Sequence, residues 1–275
     1  SAKLLDRTGM YTTGETGLGA HGTTDVNVIG GKIVACNLAN SANNILKVFV
    51  WNDVNSAPSL LFSYNVGAAP NPRLGDKFTF EGDLTNGKLR FFDYNANNRY
   101  YEFSITGGVV NTTPTIVTVP GILEPGTGTS AGAIYKYSAT EFLFSGTGKQ
   151  AVVFNPATQV TTYKTPGAVF PSSEVGDAFF TFNDKSYLAY LYATDSFKRW
   201  VVTIRPLDYP TLAESLEKIS SKATYINISG PAYTDVANVA NGNGTGKIYI
   251  YKTTAGVTYI VAVATNQGIS LLKVE

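Results

Sequence analysis

Residues 74–119 constrain the fold more than any other stretch. They read LGDKFTFEGDLTNGKLRFFDYNANNRYYEFSITGGVVNTTPTIVTV. Four short alternating runs fall at 77–80, 88–92, 100–105 and 115–119. Turn-forming residues separate them: Gly82-Asp83, Asn86-Gly87, positions 95–98 and Gly107-Gly108. Alternation at a period of two, broken by Gly, Asn and Asp, is the pattern of antiparallel strands joined by tight turns. Four of them in succession make a meander, the unit of a β-propeller blade.

The rest of the chain repeats this texture. The first blade is expected at 24–66, with strands at 26–29, 32–38, 45–51 and 59–66. The second is the stretch 74–119. The third is expected at 132–165 and the fourth at 175–228. Within the fourth, residues 211–220 read as one short inserted helix: Thr211 and Glu214 have capping-box spacing, and Leu212, Leu216 and Ile219 fall at helical intervals. The fifth blade, 246–275, runs out one strand short. The orphan segment 3–7 is expected to complete it, since pairing the chain ends removes the last exposed edge. Five four-stranded blades in one domain, 1–275, is the architecture read here. Two β-sandwiches are the rival, and they leave the recurrent meanders unexplained. The repeat is irregular but blade-sized, on the order of 40–50 residues before insertions.

Composition narrows the function classes. Lys and Arg total 21 against 20 Asp and Glu, a formal charge of +1, so no field is built in to attract nucleic acid. Only 15% of residues are charged, while Tyr, Phe and Gly number 17, 15 and 27, which suits short strands, polar turns and an extracytoplasmic protein. Cys36 is the single cysteine and lies in an apolar run, where it reads as a small buried strand residue. No apolar run approaches the roughly 20 residues of a membrane-spanning helix. The chain opens at Ser1 without Met, almost inside a strand, so a signal, lipid anchor or further domain is expected upstream.

Three blades open alike, at Thr24-Asp25, Gly75-Asp76 and Gly176-Asp177. In a propeller these connections lie on one face beside the central channel, so Asp25, Asp76 and Asp177 are candidate channel-mouth acids. A ring of carboxylates can hold Ca²⁺, but no Asp-x-Asp-x-Asp-Gly loop accompanies them. The favoured reading is that each Asp accepts backbone N–H groups and shapes its turn. No cofactor and no metal is expected. His21, the only histidine, lies in the first such connection and reaches the same face, without a nucleophile motif beside it.

The loops between second and third strands share that face. Two of them gather Asn or Asp, Arg and aromatic residues: Tyr94 to Tyr100, and Thr194 to Trp200. Flat rings that stack on sugars, with Asn, Asp and Arg for hydroxyls, are what a glycan site requires, and the same residues make a protein-binding hot spot. Tyr94, Arg99, Phe197, Arg199 and His21 are therefore the candidate ligand-contact residues. Tyr100 and Trp200 begin third strands and read as packing between blades.

The Gly-Asp openings, the run from Gly87 to Asn95, the Asn-Thr-Thr-Pro at 111–114 and the Asn, Thr and Tyr content carry a resemblance. The chain resembles secreted or surface-anchored propeller domains of unknown function from gut Bacteroidetes. The resemblance implies an envelope or extracellular location and carries over no catalytic residue. The function expected is a non-enzymatic, monomeric binding module for a glycan or a protein, working through the channel-mouth loops. A carbohydrate-active hydrolase or lyase, and a structural domain of a surface complex, are the alternatives.

Overall fold

The computed structural model describes residues 5–6, 8, 10, 23–41, 44–67, 72–96, 98–119, 133–145, 151–164, 174–194, 199–207, 246–264 and 268–274. The chain is an all-β propeller whose described strands form five antiparallel sheets, each built of strands consecutive in sequence. That order is the one the meander pattern implies, and it differs from the crossing connections of a sandwich.

Sheet one holds β1 (Thr23–Ile29), β2 (Lys32–Asn37), β3 (Ile45–Trp51) and β4 (Ser59–Asn65). Sheet two holds β5 (Phe78–Gly82), β6 (Gly87–Phe92), β7 (Arg99–Thr106), β8 (Val109–Val110) and β9 (Thr115–Thr118), with β8 and β9 both paired to β7. Sheet three holds β10 (Ala133–Lys136), β11 (Phe142–Ser145), β12 (Val152–Asn155) and β13 (Val160–Lys164). Sheet four holds β14 (Glu174–Phe182), β15 (Lys185–Thr194) and β16 (Arg199–Leu207). Sheet five holds β17 (Gly246–Lys252), β18 (Thr258–Ala264) and β19 (Gly268–Val274).

The turns follow from residue type. Gly30 and Gly31 both take positive φ, 57° and 78°, which a two-residue hairpin of the right twist demands. Asn183 and Asp184 do the same job between β14 and β15, at 47° and 58°. Short polar side chains tolerate this region better than others.

The chain divides into two compact units, residues 1–144 with 154–162, and residues 145–153 with 163–275. In the first, alternation sends Leu89 and Phe91 of β6 to one face and Arg90 and Phe92 to the other. Phe78, Leu89, Phe91, Tyr101, Phe103 and Ile105 of sheet two pack on Val34, Cys36, Leu46, Val48 and Phe62 of sheet one. Rings supply much of this contact: Phe78 stacks on Phe91 at 5.3 Å, and Phe62 meets Phe103 at 4.8 Å. The Cys36 side chain is buried within it. The second unit has its own core, where Ala178, Phe180, Ala189, Leu191 and Val202 meet Ile248, Ile260 and Ala262.

Several expectations change. Of the closing segment 3–7, Leu5 and Asp6 are described, and neither lies in a strand. Leu5 and Met10 instead pack on Ala35, Phe49 and Trp51, the far face of sheet one, and Trp51 Nε1 donates to the Asp6 carbonyl at 2.6 Å. The physical reason is that this face carries a tryptophan and a phenylalanine that need apolar cover. Sheets four and five have three described strands each. The helix expected at 211–220 and the strand expected at 223–228 lie outside the described residues. Asp25 and Asp177, read as preceding their strands, lie inside β1 and β14. In both strands the register shifts beside the acid, between Thr23 and Asp25 and between Glu174 and Gly176. Pairing thus continues past a bulge that the sequence pattern reads as an end. Among the described residues no helix is long and apolar enough to cross a membrane.

Candidate functional site

The described residues that lead into sheet two, the strip 72–77, are held at Arg73, Leu74, Gly75 and Asp76. Ala39 and Leu74 exchange two backbone hydrogen bonds, 2.8 and 2.9 Å. Gly75 has φ of 99°, and a Cβ there would stand 2.0 Å from the Asn37 carbonyl oxygen, so no other residue fits. Its carbonyl accepts from the Thr24 hydroxyl at 2.6 Å and from the Cys36 thiol at 3.4 Å. Asp25, 7% exposed, accepts the Phe78 N–H on Oδ2 at 2.8 Å, and Asn27 Nδ2 donates to the Phe78 carbonyl at 3.0 Å. Arg73 and Asp76 belong to this strip and inherit its fixed backbone.

The loop from β6 to β7 closes on the same strip through Asp93, a fully buried carboxylate. Its Oδ1 accepts the N–H groups of Arg73 at 3.1 Å and Asn95 at 3.0 Å. Its Oδ2 accepts Arg99 Nε at 2.7 Å and pairs with Arg99 Nη2 at 2.5 Å. The Asp93 N–H donates to the Arg99 carbonyl at 3.0 Å, and the Tyr94 N–H to the Arg73 carbonyl at 2.9 Å. One acid therefore shapes the loop as an Asx turn, holds one arginine by its side chain and another by its backbone.

The exposed side of this cluster is a small mixed surface. Arg73 Nε and Nη2 donate to the two oxygens of Asp76 at 2.8 and 2.5 Å, a bidentate pair. The Arg73 guanidinium also lies 4.1 Å from the centre of the Tyr94 ring. Burial acts to lower the Arg73 pKa, but the hydrogen bond and charge of Asp76, with Tyr94 beside them, hold it above its ordinary value. Arg99 reaches over Tyr101 at 5.9 Å. Tyr94 and Arg99 are half-buried, as are Arg73 and Asp76. The arrangement offers one aromatic ring, two guanidinium groups with N–H donors beyond their ion pairs, and polar loop residues, all on a rigid frame.

The structure thus brings together three residues picked out in the sequence, Tyr94, Arg99 and Asp76. It adds two that sequence reasoning missed, Arg73 and Asp93. A signal for Asp93 was present: an Asp two residues before an Asn, just after an apolar strand, is an Asx-turn pattern. Nothing in sequence ties Arg73 to it, because the two are 20 positions apart. Asp25 belongs to the fastening of the strip. Asp177 pairs with Tyr190 in sheet four, and Arg199 opens β16 opposite Thr194. His21 and Phe197 lie outside the described residues.

Chemically, the described acids near this surface are occupied. Asp25, Asp76 and Asp93 each accept N–H donors. Glycoside hydrolysis needs two carboxyl groups facing the scissile bond, one of them with a raised pKa. Two carboxyls elsewhere in the first unit move the other way. For Glu81, burial acts upward but hydrogen bonds from Lys136 and Arg90 outweigh it. Asp83 is held down by the N–H groups of Asn86 and Thr85. Among the described residues no group of three His, Cys, Asp or Glu side chains is placed to hold a metal ion.

No protein-family model matches the chain, and no curated protein matches it. In structure it is similar to a DUF4623 family protein from Bacteroides eggerthii, at 21% identity and a TM-score of 0.70, over 98% of this chain. The chain spans 60% of that protein's length. It is also similar to an endo-arabinase from Bacteroides thetaiotaomicron, at 10% identity and a TM-score of 0.51, over 94% of this chain and 95% of the other. A GH43 β-1,3-galactosidase solved with galactodeoxynojirimycin is similar at 9% identity and a TM-score of 0.52, over 100% of this chain and 94% of the other. At these identities the fold is what is shared. The likeness to Bacteroides proteins that blade texture implies is found in the structure as well.

Proposed function

We propose that this chain is a non-enzymatic, extracytoplasmic module that binds glycan at the surface formed by Arg73, Asp76, Tyr94 and Arg99. One observation carries the reading: a buried carboxylate, Asp93, holds Arg99 directly and locks a loop whose Tyr94 ring lies against the Arg73 guanidinium. Sugars are held by ring stacking and by donors to their hydroxyls, and this surface supplies both. Its frame is preorganised, so little ordering entropy opposes association. The similarity in fold to two proteins named for arabinan and galactoside cleavage supports a carbohydrate ligand. The Bacteroides likeness supports an extracytoplasmic setting. Binding is preferred to hydrolysis because the acids at this surface are already hydrogen-bonded to arginine or backbone.

The test is titration of the purified chain with a panel of plant and host oligosaccharides, with mass spectrometry of the mixture afterwards. The expected result is binding without new products. Tyr94→Ala or Arg73→Ala should weaken affinity by at least about tenfold, or roughly 1.4 kcal/mol, with melting temperature changed little. Shortened products would instead support the hydrolase reading. Binding that survives both substitutions would move the site elsewhere, and Phe197, Arg199 and His21 are the next residues to replace.

A further inference from the structure

The charges of this surface cancel in pairs, and that selects among glycans. We infer that the ligand is an uncharged oligosaccharide, not one bearing uronate or sulfate groups; the inference rests on the glycan-binding reading above. Each arginine has spent its most directional donors on a carboxylate of the chain itself. Arg73 gives Nε and Nη2 to Asp76, and Arg99 gives Nε and Nη2 to Asp93. A guanidinium recognises an anion best through such a fork of two parallel N–H groups. Here the Nε–Nη2 edge of Arg73 is filled by both oxygens of Asp76, and that of Arg99 by Oδ2 of Asp93, which is fully buried and so shielded from exchange with solvent; the Nη1 edge of each is left for a ligand.

An acidic sugar arriving at Arg73 would therefore meet the remaining N–H groups only with Asp76 alongside, like charge beside like charge. A hydroxyl oxygen accepts from those same N–H groups with no such repulsion. The ring geometry agrees with a modest, neutral contact. Arg73 covers one face of Tyr94 at 4.1 Å, so no more than one sugar ring can stack on the other face. Specificity would come from hydroxyl positions read by the outer guanidinium N–H groups and the loop at 94–96, not from net charge.

The wild-type chain decides the matter without any variant. It is titrated with neutral arabinan, galactan and xylan oligosaccharides and with oligogalacturonate, at low and at high sodium chloride. The expected result is neutral binding at least about tenfold tighter than oligogalacturonate binding, and nearly independent of salt. Asp76→Asn then uncovers Arg73, and its affinity for oligogalacturonate should rise about tenfold and become salt-dependent, with the fold checked by thermal melting. A wild-type chain that prefers oligogalacturonate overturns this inference and leaves glycan binding standing. A folded chain that binds none of these sugars overturns both. A folded Asp76→Asn chain with no gain for oligogalacturonate overturns the role given to the Arg73–Asp76 pair.

Discussion

The face of sheet two that packs on sheet one and the face that packs on sheet three come from the same strands by simple alternation, yet they differ in kind. Toward sheet one the contact is carbon on carbon, with Phe78, Leu89, Phe91, Tyr101 and Phe103 all buried. Toward sheet three it is charged along one row and aromatic along the next. Arg90, 3% exposed, donates Nε to Glu102 at 2.8 Å and Nη2 to Glu81 at 2.7 Å, and lies 4.5 Å from the centre of the Phe142 ring. Lys88 joins Glu102 at 2.6 Å, and Lys136 of β10 joins Glu81. Beside this row Phe92 stacks on Phe144 at 5.1 Å, and Tyr100 meets Phe154 at 6.2 Å. The difference teaches how one meander can be covered on both sides. The apolar face supplies the driving force of burial. The charged face gains little net energy, because desolvation offsets attraction, but its pairs work in one register only.

Substitutions can break that contrast, and the largest effect belongs to the apolar face. Phe91→Ala removes a fully buried ring that contacts three others and should cost about 4 kcal/mol in urea denaturation. Arg90→Met comes next, at about 3 kcal/mol, since it removes charge-assisted hydrogen bonds to Glu81 and Glu102 and leaves each with one lysine. Adding Glu102→Gln to Arg90→Met should recover part of that loss. If the double variant is worse than the single one, the charged face is not a balanced ion network. Asp25→Ala, which leaves the Phe78 N–H without its acceptor at the edge of the apolar face, should cost about 2 kcal/mol.

The smallest effect sharpens the comparison through pH. Glu81 titrates below its ordinary value of 4.5, because hydrogen bonds and charges from Lys136 and Arg90 outweigh burial. Its contribution is therefore complete above about pH 4.5 and is lost as pH falls through the lower folded value. The melting temperature of the wild type should drop more steeply on acidification below that point than that of Glu81→Gln. Equal slopes would mean that Glu81 adds nothing to the charged face. At the other end of the scale, burial pushes the Tyr100 phenol up, so it stays neutral on this face in mild alkali.

Much of the fold was legible from the sequence, for a local reason. Strand and turn are set by neighbours: alternation fixes which side chains share a face, and Gly30-Gly31 or Asn183-Asp184 can turn where bulkier residues cannot. The meander at 74–119 was read nearly strand for strand on that basis, with β8 the addition. The loop bearing Tyr94 and Arg99 was singled out by its Asn, Arg and aromatic content, and the structure sets both residues around Asp93 and Arg73.

Only tertiary structure decided the rest, and in each case the deciding partner lies far along the chain. That Gly75 must be glycine follows from the Asn37 carbonyl, 38 positions earlier, which leaves no space for a Cβ. That Arg73 belongs to the candidate site follows from Asp93, whose carboxylate accepts the N–H groups of a distant strip and of its own loop together. Charge alternates with apolar residues along β6, yet Arg90 is buried, because Phe142 of sheet three lies against its guanidinium. Sequence by itself determines periodicity and turn chemistry, which act over a few residues. What covers a face, and which acid holds which arginine, depends on chain closure across tens of residues, and no local pattern encodes it.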